Sequence, residues 1–457
     1  MAVLLTRYYS AATALLLGLL SATTTTLQSI GVNYGTFGDN LPPPAQVAQF
    51  LKHQTTIDRI KIFDVNREIL RAFAGTGILV AVTVPNVEIP NLTNLSFARR
   101  WVTENIRPFH PRTKINYILV GNEILHWGPQ ILVDHLVAAM WTLNQALLLS
   151  GIKDIKVTTA HSLGILESSN PPSMARFRPG WAEGVLAPLL RFHNDTKSPF
   201  MVNPYPFFSY NRENASFSIF GPNSGVSDKF TKRTYGNMFD LLMDAVYVSM
   251  MRLGYKDVEI AVGETGWSSA GESSEQPRCS VENAAAYNGG LVRKYNSGQG
   301  APLMRRRRFE TYIFGLFNEN QKSGALSERN FGLFRNDLSS VYDIGILRHG
   351  VQTPVPKPSV PPPTGDDKKW CVPKVEATDP ELQANIDYVC GQGVNCQPIQ
   401  LGGVCFEPDN VRAHASFVMN AFYQTYSNCY FSGSGMITST DPIPIPANIF
   451  LESTRTR

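Results

Sequence analysis

At 457 residues, with 43% hydrophobic and 17% charged side chains, the chain has a globular composition and enough length for a large core plus a smaller second domain, which excludes disorder throughout. Its net charge of +4 is small for that length, and the one basic run, Arg305 to Arg308, reads as a solvated loop, so a nucleic-acid partner is not expected.

The first 29 residues carry Arg7, an apolar stretch from Ala11 to Leu20 and the small-residue segment Ser21 to Thr26, the layout of a secretory signal peptide. That stretch is too short to span a membrane. No later stretch is expected to have the length or apolarity of a transmembrane helix, and the polar end from Phe450 to Arg457 is expected to lack the hydrophobic tail of a lipid anchor. A secreted protein of the extracellular space or cell wall is expected, and a monomer. Sequons begin at Asn91, Asn94, Asn194 and Asn214, compatible with that route.

From residue 30 to about 350, short β-branched runs alternate with longer amphipathic ones, the pattern of parallel strands joined by helical crossovers. The candidate strands are Ile30 to Tyr34, Arg59 to Phe63, Ile78 to Val84, Ile115 to Val120, Ile155 to Ala160, Phe200 to Val202, Val258 to Val262 and Glu310 to Phe317. The clearest helix runs from Leu132 to Leu149, with Val133, Leu136, Val137, Met140 and Leu147 on one face. This pattern predicts an α/β fold, either a closed (β/α)8 barrel or an open doubly wound sheet.

Two strands end alike: one runs into Gly121, Asn122, Glu123 and another into Gly263, Glu264, Thr265, Gly266, Trp267. In a barrel both glutamates stand at carboxyl ends of strands, where catalytic groups gather, and cleavage of a glycosidic bond needs two opposed carboxyl groups. The alternative is that each simply pairs with a nearby cation. Asn122 is placed to donate to a sugar 2-hydroxyl, or is a turn residue. Trp267, Tyr34 and the stretch Tyr205 to Phe208 offer flat faces for sugar rings, or are core residues. Tyr34, Asn122, Asn203, Tyr205 and Trp267 make the candidate substrate-binding set. Just after the eighth strand, Glu319, Lys322 and Glu328 cluster; a lysine near the nucleophile would favour its ionised form, and the plainer reading is a surface loop of screened ion pairs. The histidines, among them His126, His161 and His414, lack ligand spacing, so no metal site is expected.

Pro354, Pro356, Pro358 and Pro361 to Pro363 mark residues 351–368 as a semi-rigid linker. Cysteine usage changes across it: Cys279 stands alone before, whereas Cys371, Cys390, Cys396, Cys405 and Cys429 crowd residues 369–445, as in a small exported domain held by disulfides.

In order along the chain, Ile30 to Gly35 (IGVNYG), Val120 to Glu123 (VGNE), Val262 to Trp267 (VGETGW) and Phe317 to Lys322 (FNENQK) resemble plant glycoside hydrolase family 17. The resemblance runs from about Ile30 to Arg348. It implies a (β/α)8 TIM barrel and a retaining endo-β-1,3-glucanase without a cofactor, with Glu123 as acid/base, Glu264 as nucleophile and Glu319, Lys322 and Glu328 as auxiliary residues. A retaining pair stands roughly 5 Å apart. Family members with other linkage preferences, or that transfer the glycosyl unit to a second sugar, use the same motifs. A catalytically weak wall-binding protein is the alternative from another class.

After the linker, Trp370, Cys371, Val372, Asp387 to Gly391 (DYVCG), Cys396, Cys405 and Ala413 to Ser416 (AHAS) resemble carbohydrate-binding module family 43, a mainly helical domain that binds β-1,3-glucan. That resemblance implies that Cys371 joins Cys429 and Cys390 joins Cys396, leaving Cys405 unpaired. Residues 446–457 form a tail that matches neither family.

Overall fold

The computed structural model describes residues 30–348, 369–391, 394, 396–403, 405–426, 429 and 431–439. The expected leader, linker and tail lie outside these. Two compact units divide at Val355 and Pro356.

In the first unit, β1 (Gly31–Asn33), β2 (Arg59–Lys61), β3 (Leu79–Val84), β4 (Lys114–Asn122), β5 (Lys156–Ser162), β6 (Phe200–Asn203), β7 (Ile260–Thr265) and β8 (Thr311–Ile313) close into one parallel barrel. The first and last strands pair at Gly31 with Tyr312 and Val32 with Ile313, so no sheet edge is left open. Closure decides between the two topologies that the sequence pattern allowed. The eighth strand is shorter than its apolar run: after Ile313 the chain turns at Gly315, whose φ of +98° suits glycine, and regains only an isolated bridge at Phe317.

Crossovers are α1 (Pro44–Gln54), α2 (Arg67–Ala72), α3 (Leu95–Asn105), α4 (Gln130–Leu149), α5 (Ala187–Thr196), α6 (Met238–Arg252) and α7 (Val281–Ser297). Asn66, Asn94, Asn237 and Ser280 start α2, α3, α6 and α7 by accepting backbone N–H bonds with their side chains. In length and apolarity alone α4 reaches the range of a membrane span, which corrects the sequence reading on that point. Here it serves as the β4–β5 crossover, with Leu132, Val133, Leu136, Met140, Leu143 and Leu147 buried.

Period-two alternation sorts the strands into two cores. Val80, Val82, Ile118, Val202 and Val262 pack outward under the helices, while Ala81, Leu119, Ala160, Met201, Ala261 and Tyr312 fill the interior. Below them Arg59 bonds Asp58 and Glu310, and Glu310 also accepts from the hydroxyls of Tyr117 and Tyr312. The barrel therefore has a polar floor and an apolar middle.

The second unit pairs β9 (Trp370–Pro373) antiparallel with β10 (Gly435–Thr438) and packs them with α8 (Asp379–Gly391) and α9 (Val411–Tyr426). Leu382, Val389, Val418 and Met419 form its core with Cys371. Disulfides join Cys371 to Cys429 and Cys390 to Cys396, and Cys405 carries none. Among the described residues the buried side chains make a small core, which is where cross-links stabilise most.

One buried acid makes barrel stability pH-dependent. Asp244 of α6 is fully buried, accepts from the Tyr235 hydroxyl at 2.9 Å and the Leu303 N–H at 2.8 Å, and burial pushes its carboxyl from 3.8 up to about 7. The unfolded chain ionises it at lower pH than the folded one, so its contribution is full below about pH 4 and is lost as pH rises to about 7. Asp244→Asn is expected to flatten this slope: thermal melts at pH 4 and pH 8 should differ less in the variant than in the parent, by more than about 1 kcal/mol.

Candidate active site

The two glutamates sit where the ladders of β4 and β7 lose register. Between β4 and β5, Leu119 pairs with Thr158 but Asn122 pairs with Ala160; between β7 and β8, Val262 pairs with Thr311 but Thr265 pairs with Ile313. Each outgoing strand thus carries one surplus residue, a bulge that reverses which face the following side chains take. With Ala261 and Gly263 inward, unbroken alternation would send Glu264 outward. Instead Glu264 points inward, and the Thr265 hydroxyl lies 2.5 Å from that of Tyr287 on α7. In β4 the surplus brings Asn122 level with the inward Ala160.

Glycines permit both bulges. Gly121 has φ +68°, and a Cβ there would lie 2.8 Å from Ile89. A Cβ on Gly263 would lie 2.8 Å from Met201 and 2.9 Å from the Asn203 amide oxygen. Asn86 braces the first bulge from outside the ladder, accepting from the Asn122 N–H at 2.9 Å and donating to its carbonyl at 3.3 Å. Glu123 follows in the left-handed region at φ 55°.

Both carboxyls line one cleft of about 970 Å³ above the barrel. Glu264 is 6% exposed: Oε1 takes the Lys61 ammonium at 2.9 Å and Oε2 takes the Tyr205 hydroxyl at 3.1 Å. Lys61 is itself fully buried and lies 4.0 Å from the Phe63 ring centre. Glu123 has neutral partners, the Asn203 amide on Oε1 at 2.8 Å and the Trp127 indole on Oε2 at 3.0 Å. Burial and, secondarily, the charge of Glu264 push the Glu123 carboxyl above the ordinary glutamate range. Burial likewise raises the Tyr205 phenol, so it remains a donor. One acid is ion-paired and the other has raised proton affinity, the division of labour an acid and a nucleophile need.

Tyr34, Asn122, Asn203, Tyr205, Glu319, Lys322 and Glu328 all line this cleft. Trp267 does not, and here the sequence reading is corrected. It is fully buried, edge-on to Phe207 and Tyr210, tilted on Tyr287, and donates its indole N–H to the Arg278 carbonyl at 2.8 Å. A second correction concerns the lysine beside Glu264, which is Lys61; Lys322 pairs with Glu328 at 3.1 Å and lies over Phe314. Glu319 accepts from the Phe37 N–H at 2.7 Å, and Gly35 must lack a Cβ, which would come within 2.5 Å of that carboxylate. The cleft also gathers Phe37, Trp127 and Phe208, exposed by 62%, 74% and 60%. Of the groups missed in the sequence, only Lys61 left a signal, a charged residue alternating with Arg59 through an apolar strand.

Comparison with known proteins agrees with this geometry. The family model "Glycosyl hydrolases family 17" matches residues 30–346, and the "X8 domain" model matches residues 369–436. A wheat (Triticum aestivum) glucan endo-1,3-beta-glucosidase is 48% identical over 430 residues, covering 90% of this chain and 93% of that protein. Glucan endo-1,3-beta-glucosidase 7 of Arabidopsis thaliana is 42% identical, covering 90% and 82%. Among solved structures, a β-1,3-glucanase and allergen of Cryptomeria japonica pollen superposes with a TM-score of 0.65 at 39% identity, over 69% of this chain and 98% of that one.

The placement of Trp267 sets an expectation distinct from that of a sugar platform. Trp267→Ala should destabilise the barrel by about 3–5 kcal/mol in denaturant unfolding. A stable variant with weakened carbohydrate binding would contradict the buried role.

Proposed function

The chain belongs to glycosyl hydrolases family 17, with an X8 domain of the kind also termed carbohydrate-binding module family 43, and from that membership we propose that it cuts internal bonds of β-1,3-glucan with retention of anomeric configuration. The observation that carries this reading is the pair of carboxyls, Glu123 after β4 and Glu264 on β7, entering one cleft in different electrostatic settings. Glu264, held by Lys61 and Tyr205, attacks the anomeric carbon. Glu123 protonates the departing glycosidic oxygen as that bond breaks. In the second half, Glu123 takes a proton from water, whose oxygen displaces Glu264.

On glycosylation Glu264 becomes a neutral ester and the negative charge passes to Glu123; hydrolysis returns it to Glu264, beside the Lys61 ammonium. Nothing in the chemistry calls for a cofactor. Internal cleavage suits a cleft of this volume with exposed aromatic residues, Phe37, Trp127 and Phe208, among its lining. Glu319, Lys322 and Glu328 act as auxiliary residues: Glu319 holds the Phe37 backbone, and Lys322 pairs with Glu328 over the Phe314 ring. The X8 domain keeps the enzyme on β-1,3-glucan, and the leader together with two disulfides supports action outside the cell.

Release of reducing sugar from linear β-1,3-glucan tests the reading. Glu123→Ala and Glu264→Ala should each lower kcat by about 10²–10⁴-fold in a folded protein. With an activated aryl glycoside, added azide should yield a β-glycosyl azide from Glu123→Ala and an α-glycosyl azide from Glu264→Ala. A parent that folds, sediments with insoluble glucan and releases no sugar would contradict the assignment.

A further inference from the structure

Trp127 is among the most exposed aromatic side chains of the described residues, yet its indole N–H is committed to a half-buried carboxylate oxygen, Oε2 of Glu123, at 3.0 Å. It lies four residues beyond Glu123, at the end of the short helix Ile124–Trp127. The His126 ring packs edge-on to it at 4.3 Å, and His126 is itself seated so closely on Gly164 that a Cβ there would lie 2.0 Å from its ring nitrogen. The other carboxylate oxygen, Oε1, is held by Asn203 from the buried side.

Both bonds to Glu123 therefore come from groups that can only donate to it, and both favour its ionised form. An acid must instead carry a proton on the oxygen that meets the glycosidic oxygen. Oε1 is taken from the barrel side, which leaves Oε2, the oxygen now occupied by an indole at the cleft mouth. A sugar on the leaving-group side has to reach the position that Trp127 covers.

We propose that Trp127 is a positioning residue exchanged by substrate: its N–H holds Oε2 of Glu123 in the free enzyme and gives that oxygen up to the bound glycosidic oxygen. This rests on the reading of Glu123 as the acid/base. In the complex Oε2 takes its proton from solvent and passes it to the leaving oxygen as the bond to the anomeric carbon breaks. After the leaving sugar departs, the indole bonds the resulting carboxylate again and orients it toward water.

The other charged or titratable groups near Glu123 are Glu264 from β7, Lys61 from β2, Tyr205 after β6 and the neighbouring His126. Trp127→Phe leaves all of them in place and removes only the N–H while keeping an aromatic ring. Losing a donor to the ionised form means Glu123 keeps its proton to higher pH. The experiment compares pH profiles of parent and Trp127→Phe on a β-1,3-gluco-oligosaccharide. The alkaline limb of kcat/KM, which reports the free enzyme, should move up by roughly half a pH unit or more, while that of kcat, which reports the complex, stays in place.

Two unmoved limbs would show that the bond does not act, and two limbs moving together would show that substrate does not displace it; either overturns the proposal. Trp127→Ala should reproduce the shift, and a shift in Trp127→Ala alone would assign the effect to loss of the ring and contradict the N–H role. Glu123→Gln separates the underlying reading. If that variant keeps its activity and alkaline limb, the limb does not belong to Glu123 and the acid/base assignment falls, whatever Trp127→Phe does.

Discussion

One surplus residue in β4 and one in β7 set the geometry on which the cleft depends. A parallel barrel buries alternate side chains inside and outside, and unbroken alternation would turn Glu264 toward the helices. The bulge between Val262 and Thr265 turns it inward onto Lys61 and leaves Thr265 to anchor the strand end on α7. Its counterpart between Leu119 and Asn122 brings Asn122 to the inner side and launches Glu123 in a left-handed conformation. Gly121 and Gly263 are needed because both places admit no Cβ without displacing neighbours.

Once aimed, the two carboxyls are distinguished by their partners. Glu264 meets a buried ammonium and a phenol, whereas Glu123 meets an amide and an indole. Removing Lys61 would leave an uncompensated carboxylate in a site that is only 6% exposed, so the ion pair constrains the fold as well as the chemistry. The apolar layer from Ala81 to Tyr312 separates this pair from the Arg59–Glu310 floor, so two charged groups of Lys and Arg type occupy one barrel without sharing partners.

Much of this was legible in the sequence, for physical reasons that can be named. The strands were visible because each is a short β-branched run between turn residues, and the glutamates because each stands within two residues of a glycine at a strand end. The bulges were not, since register belongs to a pair of strands and a single run of residues does not record it. Trp267 was misread because a tryptophan after a catalytic motif has the same one-letter appearance whether it faces a sugar or the core; only its packing against Phe207, Tyr210 and Tyr287 decides. Lys61 belonged to β2, far along the chain from Glu264, and the nearer-seeming Lys322 drew the role. Helix α4 carried more apolar residues than its barrel-facing side requires, with Leu148 and Leu149 left exposed, which is why composition alone likens it to a membrane span.

The central claim is that Glu264, turned inward by the β7 bulge, forms the covalent bond to the sugar. Incubation with a 2-deoxy-2-fluoro glycosyl fluoride of a β-1,3-linked disaccharide, followed by proteolysis and mass spectrometry, tests it directly, because the 2-fluorine slows both steps while the fluoride leaving group keeps formation of the intermediate fast. The account predicts one glycosyl unit, attached to Glu264. A label on Glu123 or on another side chain, or inactivation without any label on an otherwise active enzyme, would contradict it.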